Sequence, residues 1–157
     1  MREWLGIAAR LVVGGVWIVA GVLKLPDPAA SVRAVRAYSL LPEPIVPAVG
    51  HLLPVVEVVV GVALVLGLLT RGAALISAAL FLLFVGAIAS VWARGISIEC
   101  GCFGGGGAAQ DASSSYPLEI ARDIGLLALS VFLVWTPRTR FALDRLLSGP
   151  VVATGGR

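Results

Sequence analysis

The run AALISAALFLLFVGAIASVWA, from Ala73 to Ala93, contains neither a charged side chain nor a proline. An α-helix rises about 1.5 Å per residue and needs about 20 consecutive apolar residues to cross a bilayer. This stretch meets that requirement, and reading it as a membrane helix decides the class of the whole chain. The composition agrees: 59% of the 157 residues are hydrophobic and only 13% are charged, with a mean hydropathy of +0.99. A soluble domain of this size carries about 25% charged residues. The length suits one compact bundle rather than two domains.

Just before this run, Thr70-Arg71-Gly72 reads as a tight turn. A second apolar span, Pro44 to Leu69, precedes it and carries His51, Pro54 and Glu57. A first span covers Trp4 to Leu25, where Gly14-Gly15 and Gly21 offer surfaces for close helix approach. Arg10 interrupts that span, and no small-x-small cleavage site precedes Lys24-Leu25-Pro26-Asp27-Pro28. The expectation is therefore a retained helix rather than a cleaved signal. Pro28 to Leu41 is too short and too charged to span. Asp27 suits an N-cap and Pro28 a first helical position, and Val32, Val35 and Leu40 fall on one side of a helix lying in the interface.

Downstream of the central run, residues 95–115 hold a cysteine- and glycine-rich segment, and a fourth span follows from Tyr116 to Trp135. The expected fold is an all-α integral membrane protein, a four-transmembrane-helix bundle with a short interfacial helix between helices 1 and 2. Residues 1–136 form the membrane domain, and residues 137–157 an amphipathic or disordered cytoplasmic tail. Arg2, Arg71, Arg138, Arg140, Arg145 and Arg157 collect on the face that holds both termini. Lys24, Arg33, Arg36 and Arg94 mark the other face. The positive-inside bias places the termini in the cytoplasm and the cysteines outside the cell membrane. The net charge of +3 forms no basic stripe with interleaved aromatics, which argues against nucleic acid and for contacts to lipid.

Cys100 and Cys102 are the two cysteines, separated by Gly101 and followed by Phe103 and four glycines. A Cys-x-Cys disulfide needs the backbone to fold back until the Cα atoms lie about 4.4–6.8 Å apart, which Gly101 permits. A bond closing so small a ring is strained and exchange-prone, and it adds little as a staple. Lys24, Arg94 and Arg122 are the cations at a similar depth, candidates to lower a thiol pKa and favour the thiolate. Inside the membrane, Glu57 lies about 13 residues from the outer end of its span and Arg10 about 15 from the end of its own. Their depths agree within about 3 Å, so a mutual ion pair is expected. His51 lies roughly two turns outward of Glu57. It reads either as a packing residue or, with Glu57, as a proton relay or a contact to a quinone carbonyl. Pro54 bends the second helix and opens a niche there. The cofactor stays unknown, a quinone being the one candidate, and no complete metal site is read.

The chain resembles the MauE family, within the DoxX-like group of small four-helix membrane proteins. The resemblance rests on Gly21-Val22-Leu23-Lys24, on Pro54 through Glu57 followed by Gly61, and on Gly67-Leu68-Leu69-Thr70-Arg71. It continues with Glu99-Cys100-Gly101-Cys102-Phe103-Gly104 and ends with Arg122-Asp123. MauE-like proteins are associated with methylamine utilisation, where they support maturation of the disulfide-rich small subunit of methylamine dehydrogenase beside a thioredoxin-like periplasmic partner. The resemblance implies a redox-associated membrane component of extracytoplasmic thiol–disulfide exchange, with Cys100 and Cys102 as its reactive pair and a disulfide-containing client. Quinone-linked disulfide generators carry more than one cysteine pair; here one pair must pass straight to a partner or a cofactor. Whether the chain is itself a thiol–disulfide oxidoreductase stays open. Two other readings stay open beside it: a non-enzymatic membrane scaffold or chaperone, and a soft-metal protein holding Cu(I) on the two thiolates.

Overall fold

Two glycine contacts set the architecture. In the computed structural model, which describes residues 2–99, 107–108 and 116–136, helix α1 (Arg2–Lys24) runs antiparallel to α3 (Val46–Leu66). A Cβ on Gly14 would lie 2.8 Å from the Gly61 carbonyl oxygen, and one on Gly61 would lie 2.7 Å from that of Gly14. One heptad on, a Cβ on Gly21 would meet the Pro54 carbonyl at 2.7 Å. Without hydrophobic drive between helices in lipid, such backbone approach gains dispersion contact directly. Gly14 and Gly21 thus act as the sequence suggests, while Gly15 faces open space.

Between these helices, α2 (Pro28–Ala37) begins as expected. The Asp27 carboxylate accepts from the Ala30 N–H at 2.9 Å, and Pro28 takes the first position. That bond, followed by the nearby Arg33 guanidinium, holds the Asp27 carboxyl below its ordinary range. The helix is shorter than the Pro28–Leu41 expected, because Ser39 adopts a positive φ of 50°. Its buried face also differs. Ser31 and Ala34 lie inward, whereas Leu40 is exposed. Small residues are required there because Gly50 of α3 sits against the Val32 backbone, 2.7 Å from where a Cβ would be.

The turn after α3 is corrected as well. Gly67 closes α3 in the left-handed region with φ 71°, the Leu68 N–H bonds the Ala63 carbonyl at 2.9 Å, and Leu69 follows at φ 45°. Glycine reaches positive φ without a Cβ penalty, so the reversal falls on 67–69. Thr70 then opens α4 (Thr70–Ala93) instead of belonging to the turn. Helix α5 (Tyr116–Trp135) has the expected bounds and packs extensively on α4. At the centre, Trp17 Nε1 donates to Ser77 Oγ at 2.7 Å, Ser77 Oγ meets Ser130 Oγ at 2.9 Å, and Ser130 bonds the Leu126 carbonyl. This chain of bonds joins α1, α4 and α5, with Phe81 stacked 4.4 Å from Trp17.

Five helices therefore build the described residues. Three of them, α1, α3 and α4, are long and apolar enough to cross a membrane. Helix α5 carries Glu119, Arg122 and Asp123 near its start, which separates it from the other three. Large apolar side chains such as Leu52, Val59, Leu82 and Leu83 face outward, as in a protein whose solvent is lipid. One element was not foreseen: strands β1 (Ile98–Glu99) and β2 (Gly107–Ala108) pair antiparallel. The expected tail, residues 137–157, lies outside the described residues.

Gly61→Val should lower the stability of the purified protein by roughly 1–3 kcal/mol through overpacking against α1. Gly15→Ala should leave it nearly unchanged or slightly raise it. Thermal unfolding in detergent reads both; equal effects at the two positions would show that the α1–α3 contact does not limit stability.

Candidate functional site

Cys100 and Cys102 lie outside the described residues, whereas Ile98–Glu99 before them and Gly107–Ala108 after them lie within. Glu99 pairs with Gly107 in the β1–β2 ladder, so the ends of segment 100–106 are held side by side. The ladder is fixed to the bundle by Tyr116, the first residue of α5 and only 1% exposed. Its hydroxyl accepts from the Ile98 N–H at 2.8 Å and has the Ile96 and Ile98 carbonyls within 2.9 and 3.0 Å as acceptors. Ile98 packs with Ile88 and Val91 of α4 and with the Tyr116 ring. Tyr116 was singled out only as a helix boundary, and no sequence signal marks the role of its hydroxyl.

The proposed thiolate-tuning cations have other partners in this structure. Arg94 donates to the Tyr38 and Ser90 carbonyls, which ties the end of α4 to the end of α2. Arg122 donates from Nε to Asp123 Oδ1 at 2.9 Å. Lys24 turns inward, where its ammonium meets Glu57 Oε1 at 2.6 Å; the side chains are 7% and 0% exposed.

The expected Arg10–Glu57 pair is therefore replaced by Lys24–Glu57. Gly14 opposite Gly61 and Gly21 opposite Pro54 fix a register in which Arg10 is level with Val65 and Glu57 with Ile18. Arg10 donates instead to the Leu64 carbonyl at 2.9 Å and the Val65 carbonyl at 3.1 Å. These carbonyls belong to the last turn of α3, where i+4 donors run out and the negative end of the helix dipole lies; the Leu64 carbonyl also accepts from the Gly67 N–H at 3.2 Å. Lys24 begins six residues, about 9 Å, from the level of Glu57. The two meet because helical side chains lean toward their own N-termini, which in an antiparallel pair points one toward the other here. Glu57 Oε2 has no hydrogen-bond partner among the described residues.

His51 does not join this group. It lies on the exposed side of α3, its Nδ1 2.6 Å from the Pro47 carbonyl. The Glu57–His51 relay and the quinone contact built on both residues are thus not assembled. Among the described residues, no three His, Cys, Asp or Glu side chains gather into a metal site.

What sequence reasoning missed is a partly open cavity of about 460 Å³ between α2, α3, α4 and Lys24. Ser31, Ala34, Val35 and Tyr38 of α2 form one wall, Val49 and Leu53 of α3 another, and Leu80, Leu83, Phe84 and Ala87 of α4 the third. Lys24 Nζ lies 5.7 Å from the Phe84 ring centroid. Ser31 Oγ, in a residue 7% exposed, has no hydrogen-bond partner among the described residues.

With this geometry in place, comparison with known proteins is informative. The family model described as methylamine utilisation protein MauE matches residues 2–136. The chain is similar to the methylamine utilization protein MauE of Paracoccus denitrificans, 37% identical over 100 residues that cover 63% of this chain and 54% of that relative. The chain thus spans about half the length of the curated relative it matches. No solved structure matches it.

Removing one member of a buried ion pair strands the other, which costs about 3–5 kcal/mol, whereas replacing both with apolar residues is often close to neutral. Lys24→Met and Glu57→Leu should each destabilise the bundle strongly, and the double variant should recover most of the loss. A double variant as unstable as the worse single one would show that the two groups do not act as a pair.

Proposed function

This chain belongs to the MauE family of methylamine utilisation proteins, and from that membership we propose that it supports maturation of a disulfide-containing partner outside the cell membrane. Cys100 and Cys102 are the working residues of this reading. It is supported by the Cys-Gly-Cys segment within the family match, and above all by the ladder and the Tyr116 hydroxyl that hold the two flanks of that segment at one end of the bundle. In the exchange, a thiolate of the reduced partner attacks one sulfur of the Cys100–Cys102 disulfide. That bond breaks, a mixed disulfide forms, and the second partner thiolate then displaces it. Two electrons pass to the cysteine pair, and two protons restore its thiols, while the partner gains its disulfide. The immediate partner has a thioredoxin-like fold, and the final client is a disulfide-rich protein of the methylamine dehydrogenase type.

In the same reading α5 is a fourth span. Its three charges fall near one end, Arg122 bonds Asp123, and the Trp17–Ser77–Ser130 chain ties its middle to two apolar helices. Four spans leave both termini in the cytoplasm, with a tail after residue 136 and the cysteines on the opposite side, as the distribution of arginines favours. A scaffold reading, in which the anchored flanks present a surface without thiol exchange, is favoured by the same Tyr116 contacts.

Replacing the resolving cysteine of a thioredoxin-fold partner should accumulate a reducible adduct with this chain in membranes, whereas Cys100→Ser, Cys102→Ser and the double Cys→Ala protein, none of which can form the disulfide, should give no adduct and lose the maturation activity. A double variant that matures the client at the normal rate would reject exchange and leave the scaffold. Labelling with a membrane-impermeant maleimide should reach both cysteines from the outer face of intact cells.

Tyr116→Phe removes the hydroxyl that bonds Ile98. It should release the ladder and raise the rate of cysteine alkylation several-fold while leaving the helical content unchanged. An unaltered rate would show that the anchor does not position the segment.

A further inference from the structure

We propose that the cavity between α2, α3 and α4 is a binding site for an uncharged, lipid-soluble molecule that presents a carbonyl oxygen to Ser31 and Lys24. Its volume of about 460 Å³ falls in the range of small-molecule sites, about 300–1,000 Å³. Such sites are mostly apolar with a few placed polar groups, and this one follows that pattern: aliphatic walls, the aromatic residues Phe84 and Tyr38, the Ser31 hydroxyl and the Lys24 ammonium.

The polar atoms select the head group. Ser31 is 93% buried, lines the cavity, and its Oγ has no hydrogen-bond partner among the described residues. Buried hydroxyls are nearly always bonded, so an unbonded one in the wall of a cavity marks a position where a ligand atom completes the bond once the side chain turns toward it. Lys24 uses one donor on Glu57 Oε1 at 2.6 Å, and an ammonium has three. Lys24 can only donate, and the Ser31 hydroxyl can donate as well as accept, so an acceptor oxygen is the atom that suits both. The Lys24 charge is already balanced by Glu57, so an anion would bring unmatched charge into a low-dielectric wall. A neutral carbonyl meets both conditions. Two molecules soluble in a bilayer carry one: the ring of a membrane quinone and the ester of a glycerolipid.

The site does not depend on cysteine exchange, so the test runs in the full-length protein with Cys100 and Cys102 both replaced by Ala. Trp17 reports on the cavity because its ring lies 5.8 Å from Phe84, a wall residue. With Trp4, Trp92 and Trp135 changed to Phe, decylubiquinone titrated into the protein in nanodiscs should quench Trp17 saturably. Ser31→Ala should weaken the midpoint about 3- to 10-fold, the worth of one hydrogen bond. Ala87→Phe, or Val49→Phe on the opposite wall, should abolish saturation; whichever keeps its thermal unfolding midpoint serves as the filled-cavity control. Dioleoylglycerol, which does not quench, separates the two sources: displacement of the quinone over the same concentration range assigns the site to glycerolipid esters, and no displacement assigns it to quinones. Quenching that rises linearly and equally in the parent and filled variants overturns the site. A midpoint untouched by Ser31→Ala overturns carbonyl recognition.

Discussion

The close backbone approach of α1 to α3 at Gly14 and Gly61 governs most of what surrounds it. Once that crossing is fixed, the relative height of every residue on α1 and α3 is fixed too. Arg10 falls at the last turn of α3 and bonds the Leu64 and Val65 carbonyls at the negative end of that helix. Lys24 comes within reach of Glu57 and neutralises it where lipid surrounds the bundle. Gly50, on the same helix, admits α2 closely enough for its small residues to lie inward. A one-turn slip along this contact would lose all three arrangements together.

The extent to which the sequence foretold the molecule follows from the range of the forces involved. Apolar length is a local property, so the spans near Trp4–Lys24, Val46–Leu66 and Thr70–Ala93 were legible, as were the bounds of α5. The Asp27 cap is local as well, since its bond reaches only Ala30. Register is not local. Counting depth from assumed span ends paired Arg10 with Glu57, whereas two glycines far apart in sequence decided the matter for Lys24. The Gly67 turn was misplaced by three residues because Thr70-Arg71-Gly72 has turn composition, while the residue that takes up positive φ lies earlier. Ser31 lies off the Val32, Val35 and Leu40 side on which the sequence reading centred, and only the fold places it in the wall of a cavity.

The β1–β2 ladder and the cavity share a neighbour. Tyr38 lines the cavity, packs beside the cluster of Ile88, Val91, Ile98 and Tyr116, and offers its carbonyl to Arg94. The carbonyl bond and the ring contacts belong to one residue, so α2 cannot shift over the cavity without disturbing the base of the β-ladder.

The reversal at residues 67–69 carries a mechanical implication. It clamps α3 and α4 together at one end, while the cavity sits toward the other, beside Val49 and Leu53 on α3 and Leu80 to Ala87 on α4. Helix α3 takes its firmest packing from α1, and α4 from α5, while the Trp17–Ser77–Ser130 chain fastens the two pairs midway. The cavity lies beyond both fastenings, where α2 supplies the third wall between α3 and α4.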